Sequence, residues 1–379
     1  MLRWRSCGAS ATAHKMEKNA LTDSRGCAPA GGKCALLLLL AAVAVPLSLL
    51  WDLSWESTVG VDSVWAAPHV VTYAAIALAC FGALGQFGTG VGVRVGKLRA
   101  PLGAWIALWG AVAFGGALLF DRWWQAGYGL AAGIWHPPQL AKVVAFFAIA
   151  FGAWWTWARS AFGGACVLAM IAVVTLAENF PNRQHAALFH QIACGAYPLV
   201  LVALAVAGRS RFTATTAALA AMLLQAAMTW LLPLVAGSPL TGPIYNHRDH
   251  LWPPPFPLLI VVPALAFDLL LRVLPDRSQR KAGWAQAVEL ALTFFFVFVS
   301  VQWVFSKFLL SPAAEGWFFA GGGKEWPFFL RFAPGAQTQF WPVEDGEFNT
   351  QSALIAFALA ILSARIGLAL GAWMKRLQR

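Results

Sequence analysis

About ten separate stretches of this chain are each apolar over roughly 20 residues, the length a helix needs to cross a bilayer. They fall near 35–51, 68–88, 101–120, 139–157, 161–178, 188–207, 213–236, 256–272, 285–310 and 351–373. A soluble domain carries about 25% charged residues; this chain of 379 residues carries 11%. Transmembrane barrel strands alternate apolar and polar over about ten residues, and these Ala, Leu, Val and Phe runs do not. The fold expected is all-α: a polytopic membrane helix bundle of about ten transmembrane helices, with the lipid bilayer as its first partner. The 20 Trp and 27 Phe suit such a chain, because aromatic rings gather at the membrane–water boundary.

Basic residues set the expected orientation, since loops rich in Lys and Arg stay in the cytoplasm. The N-terminal tail carries Arg3, Arg5, Lys15, Lys18, Arg25 and Lys33. Alternate loops carry Arg94, Lys97 and Arg99, then Arg159, then Arg209 and Arg211, then Arg272, Arg277, Arg280 and Lys281. Lys375, Arg376 and Arg379 follow the last span. The loops between hold most of the acids, so both termini are expected in the cytoplasm of a bacterial inner membrane. Lys142, Asp268, Glu289, Lys307 and Arg365 lie in or near spans, and most are close enough to an end to reach water by extending their side chains. The net charge of +11 is spread over separate inner segments and is not the footprint of a nucleic-acid partner. Three regions follow: 1–34, a polar cytoplasmic tail expected to be disordered, with Met16 as an alternative start to Met1; 35–160, four spans; and 161–379, six spans with a long outer loop at 311–349.

The first four spans contain a parallel repeat on the outer side. Trp51–His69 reads WDLSWESTVGVDSVWAAPH and Phe120–Gln139 reads FDRWWQAGYGLAAGIWHPPQ. Asp52 aligns with Asp121, Trp55 with Trp124, Glu56 with Gln125 and Gly60 with Gly129. After one inserted residue, Trp65 aligns with Trp135, Pro68 with Pro138 and His69 with Gln139. A continued helix sets Asp52 and Glu56 one turn apart, where like charges repel; a bound cation, a proton or a nearby Arg would relieve them. Proline suits the first turn of the returning helix, which aims His69 back at the same outer pocket. An Asp, a Glu and a His around one point are donors for a metal ion, with Asp62 as a further ligand or a group behind the ligands. The other reading is an interfacial loop wetted by water and anchored by Trp.

The spacing of Asp52, Glu56 and His69 resembles the metal motif of the C-type membrane chain of the copper membrane monooxygenases, the family of particulate methane monooxygenase and ammonia monooxygenase. That motif has an Asp, a His four positions on, and a second His thirteen further, just past a proline step. The family's second motif, an Asn and two His, falls on Asp121, Gln125 and Gln139. The resemblance covers about residues 35–160. It implies an outer-facing metal at which oxygen is activated to oxidise a small substrate. The sequence departs from the family at Glu56, Gln125 and Gln139, each standing where the family has His. Copper favours imidazole, so the first position would suit Zn, Fe or Mn as well as Cu, and the second is expected to be degenerate. The second half resembles the A-type membrane chain of the same family more weakly, through Phe256–Leu271 and Phe294–Lys307.

Two other outer loops concentrate polar residues: LAENFPNRQHAALFHQ, with Glu178, Arg183, His185 and His190, and YNHRDHLWPPPFP, with Asn246, His247, Asp249 and His250. His247 and His250 are candidates to supply the imidazoles missing from the first repeat. Pro253–Pro257 cannot be helix interior and is expected to stiffen the approach to the eighth span. Loop 311–349 is dense in aromatics and suits either the membrane surface or a partner. No catalytic residue stands out. The readings left side by side are a membrane metalloprotein that oxidises a small substrate, a non-catalytic scaffold joined to membrane-protein partners or to its own copies, and a small-molecule carrier.

Overall fold

The structure, a computed structural model, describes residues 32–60, 63–87, 92–129, 136–157, 160–178, 186–238, 249–273, 280–309, 311–314, 316–319 and 348–377. Most of the 1–34 tail, Asp62, His185, His247 and most of loop 311–349 lie outside them. Ten α-helices are described: α1 Gly32–Thr58, α2 Ala67–Leu84, α3 Leu102–Tyr128, α4 Pro137–Thr156, α5 Ala161–Glu178, α6 Ala187–Ala207, α7 Thr213–Leu231, α8 Val261–Val273, α9 Arg280–Leu309 and α10 Thr350–Leu377. The described fold is all-α apart from one small hairpin, β1 Val93–Val95 against β2 Leu98–Ala100, between α2 and α3. Its two-residue turn uses Gly96 at φ +60°, a conformation glycine adopts without steric cost.

Among the described residues, eight helices are long and apolar enough to cross a membrane: α1–α4, α6, α7, α9 and α10. The other two of the ten expected spans are shorter, for different reasons. Helix α5 is apolar over Ala161–Thr175 and buried at every residue from Ala165 to Val173, as befits a helix apolar on all sides. It packs against α1, α4, α6 and α7 and forms the axis of the bundle. Helix α8 has 13 residues, a rise of about 20 Å at 1.5 Å per residue, against a hydrocarbon core of about 30 Å.

The rest of that apolar stretch is not helical. Leu251–Ile260 runs without regular structure, yet every residue but Leu259 is buried. Irregular backbone at membrane depth is tolerated only inside protein with its polar groups satisfied; this stretch is buried and several of its polar groups have partners from other elements. Pro253, Pro254, Pro255 and Pro257 have no N–H to satisfy. Thr58 Oγ1 accepts from Trp252 N at 2.8 Å, Ser54 Oγ donates to the Trp252 carbonyl, Gln225 Nε2 donates to Pro255 O at 3.0 Å, and Gln302 Oε1 accepts from Leu259 N at 3.2 Å. The prolines therefore do more than stiffen an approach. They make an extended first half of this stretch possible.

Helices approach closely through small residues, the usual means of association where lipid and side chains are equally apolar. On α10, Ser363, Gly367 and Gly371 recur every four residues along α6. A Cβ on Gly367 would lie 2.6 Å from Leu199 O, and one on Gly371 would lie 2.8 Å from Val206 Cβ. Pro198 interrupts the α6 ladder, and Ser363 Oγ accepts from Leu199 N at 2.9 Å. Gly152 of α4 likewise sits against Gly103 O of α3, 2.6 Å from where its Cβ would be. Charged residues within the helices are also engaged: Asp268 Oδ2 accepts from Thr215 N at 2.8 Å and Thr215 Oγ1 at 2.7 Å. Arg365 lies over the Trp284 ring at 5.6 Å and Lys307 over Trp303 at 5.8 Å.

Two stability predictions follow from this packing, both read as thermal unfolding in detergent. Gly367→Leu should destabilise the protein by about 1–3 kcal/mol through overpacking, while Ile366→Leu, at the exposed neighbouring position, should leave the melting temperature nearly unchanged. Gln225→Leu should cost about 1–3 kcal/mol, because it leaves a buried carbonyl without its donor. An unchanged melting temperature for Gln225→Leu would mean that the extended segment is held by packing alone.

Candidate functional site

Helix α1 continues four residues past Ser54 and carries Asp52 and Glu56 one turn apart, near its C-terminal end. Gly60, at φ +100°, ends the run, and α2 starts with Pro68 in its first turn. His69, the third residue of α2, then faces back: its Nε2 lies 3.1 Å from Asp52 Oδ1. Its Nδ1 lies 3.3 Å from Ser63 O. A carboxylate and a carbonyl are both acceptors only, so the two contacts together suit an imidazole with a proton on each nitrogen. Glu56 is near enough for its charge to act on the ring. Tyr73, one turn further along α2, donates to Val64 O at 3.1 Å and meets Phe114 of α3 at 6.4 Å between centroids.

The second hairpin has the same construction with a different base. Helix α3 carries Asp121 near its C-terminal end, Gly129 follows it at φ +86°, and α4 opens on Pro137 and Pro138. Gln139 is not the residue that reaches Asp121. Lys142, one turn further, donates from Nζ to Asp121 Oδ2 at 2.6 Å, with side-chain exposures of 18% and 11%. Lys142 therefore turns inward to an acid and does not extend toward water, as its position near a span end suggested. An acid on the outgoing helix meets a base on the returning helix in both hairpins.

The remaining candidates separate. His190 is fully buried at the start of α6, its ring 3.9 Å from that of Phe348 and edge-on to Phe189; it belongs to the core. His250 Nδ1 lies 3.0 Å from Asp249 Oδ1, and this contact holds the exposed Asp249 carboxyl below its ordinary value. Ala236 and His250 face each other in a short antiparallel bridge, closed by Gly237 N donating to Asp249 O at 3.0 Å and Leu251 N to Val235 O at 2.9 Å. Leu251, next in the chain, packs with Trp51, Trp55 and Val59, so the segment bearing His250 rests on the C-terminal end of α1. Among the described residues no three His, Cys, Asp or Glu side chains converge as a metal site would require. At the second position an ammonium already neutralises the acid and the other two groups are amides, a set that does not fit copper. Among the described residues the first position brings together two donors, Asp52 and His69, short of the three or four ligands protein metal sites use.

Beyond the candidates, the structure adds Lys142 as a partner for Asp121, together with Ser54 and Thr58. The first could have been read from its place one turn into a helix that starts on the same side as Asp121. The other two answer to a segment about 200 residues away, which no local spacing reveals. No protein-family model, curated protein or solved structure matches the chain.

If the Asp121–Lys142 pair holds the second hairpin together, Lys142→Met should destabilise the protein by up to about 3 kcal/mol, below the range for fully buried pairs. Asp121→Asn/Lys142→Met should recover most of that loss in the same thermal unfolding measurement. Equal melting of Lys142→Met and the parent would show that the pair contributes nothing.

Proposed function

We propose that the chain is a non-catalytic membrane scaffold, built like the C-type membrane chain of the copper membrane monooxygenases, in which protein ion pairs stand where that family's metal motifs fall. The observation that carries the reading is the Lys142–Asp121 contact of 2.6 Å. A metal bound in such a motif would neutralise its carboxylate, and here a lysine does so from the same hairpin. The first hairpin follows the same scheme with His69 and Asp52. In this reading the chain lies in a bacterial inner membrane with both termini in the cytoplasm and both pairs near the outer surface. Its role is to brace a membrane partner, either a different protein or a second copy. The aromatic start of loop 311–349 is a suitable contact: Trp230 donates to Phe318 O at 2.8 Å, and Phe319 packs among Phe256, Phe305 and Phe308, fixing where the loop leaves the bundle.

One observation favours a second reading. A metal-ligating His usually donates its other ring N–H to a carbonyl or carboxylate, and His69 is anchored in that way, Nδ1 toward Ser63 O, with Nε2 toward Asp52. A single ion held by Asp52, His69 and Glu56, with Asp62, His247 or His250 completing its shell, would make the chain a metalloprotein that oxidises a small substrate. Metal content of the detergent-purified protein, after exposure to Cu, Zn, Fe and Mn, separates the two. The scaffold reading expects far less than one metal per chain, with no difference from Asp52→Ala/His69→Ala. A near-stoichiometric metal lost in that double variant would replace it with the second reading.

A further inference from the structure

At the opposite, basic end of the bundle, α6 ends, Gly208–Phe212 turns, and α7 begins beside the last turn of α8. A cavity of about 390 Å³ lies there, lined by Ala205, Ser210, Arg211, Asp268, Leu271 and Arg272. This falls at the small end of the 300–1,000 Å³ typical of ligand sites. Asp268 is the one acid in the lining, and its Oδ2 is engaged by the Thr215 N–H and hydroxyl. Arg272, four residues on along α8, donates to Arg211 O and stacks over Phe212 at 3.9 Å. Those contacts fix the orientation of its guanidinium and use one of its five N–H donors. The Arg211 side chain makes no hydrogen bond or ion pair among the described residues, and Arg209 is exposed beside it. The result is a concave site with a pre-oriented arginine, a second arginine at its edge and a hydroxyl. It is matched to a tetrahedral oxyanion, which guanidinium groups bind in a forked geometry.

We infer that this cavity binds a phosphate group, and that the phosphate belongs to the headgroup of an anionic phospholipid. Neighbouring apolar surface favours a lipid over a soluble phosphate: Leu271 lines the cavity, Phe212, under the Arg272 guanidinium, is 39% exposed, and Val273, next along the chain from Arg272, is 81% exposed. The distribution of basic residues assigns this end to the cytoplasmic boundary, where anionic headgroups collect and basic pockets between spans hold them.

Native mass spectrometry of the full chain in detergent tests the assignment, with phosphatidylglycerol, phosphatidylcholine and inorganic phosphate as separate probes. The parent should retain phosphatidylglycerol over phosphatidylcholine, and Arg211→Gln should weaken that retention about fivefold, the effect of one basic residue at a membrane surface. Arg211→Gln should melt like the parent in the absence of lipid, since its side chain holds nothing in place. Arg272→Gln should weaken retention further; if it fails to fold, Arg211→Gln alone decides. Protection from unfolding by inorganic phosphate equal to that by phosphatidylglycerol would keep the phosphate site and overturn the lipid as its source. Equal retention of the two lipids, or undiminished retention in Arg211→Gln, would overturn the site itself.

Discussion

Inside a bilayer no water is available to take up a stray N–H or C=O, so each backbone polar group must find its partner within the protein. Much of this structure follows from that requirement. The long apolar helices meet it with their own hydrogen bonds. The stretch that ends in α8 meets it by a division of labour: the helix covers its second half, and the first half is an extended strip whose prolines remove donors and four of whose remaining groups are met by Ser54, Thr58, Gln225 and Gln302. These four come from α1, α7 and α9, so the strip also fixes how those helices stand relative to one another. The Pro198 break in α6 is handled in the same way, by Ser363 of α10.

Charge obeys a parallel rule. An isolated carboxylate in low dielectric is far more costly than one beside a base or a donor, and three aspartates in these helices have such an answer. Asp52 has His69, Asp121 has Lys142, and Asp268 has the N–H and hydroxyl of Thr215. In both hairpins the answering residue comes from the first two turns of the returning helix, after a glycine with positive φ and a proline start. The hairpin is therefore a device for presenting one base to one acid, and the choice of base is free to vary between copies.

The architecture was legible in the sequence because hydrophobic length is a local signal. The ranges read for α5 and α7 start where the helices start, and that for α6 is offset by a single residue. The expected eighth span was legible as apolar but not as half-extended, since Phe256–Ile260 is as apolar as a helix would be and only its partners, 30 to 200 residues away, distinguish the two. The motif spacing names Asp52 and His69 together, and in the structure their side chains lie 3.1 Å apart. The alignment sets Gln139 opposite His69 by position, whereas the contact with Asp121 follows reach: it is made by Lys142, whose four-carbon stem spans the extra turn. His190, one of the polar residues of an outer loop in the sequence, is buried at the start of α6, its ring against Phe189 and Phe348.

The extended strip also bears on how such a chain is made. A helix leaving the translocon is self-sufficient and can wait in lipid for its neighbours. Leu251–Ile260 is not: until the glutamines of α7 and α9 and the hydroxyls of α1 surround it, the N–H and C=O groups they meet would face hydrocarbon. Assembly of this protein is thus not a free choice among preformed helices. Helices α1 and α7 must already be in place, and α9 must arrive, before this strip can leave a sheltered environment, which makes its release a late and collective step in biogenesis.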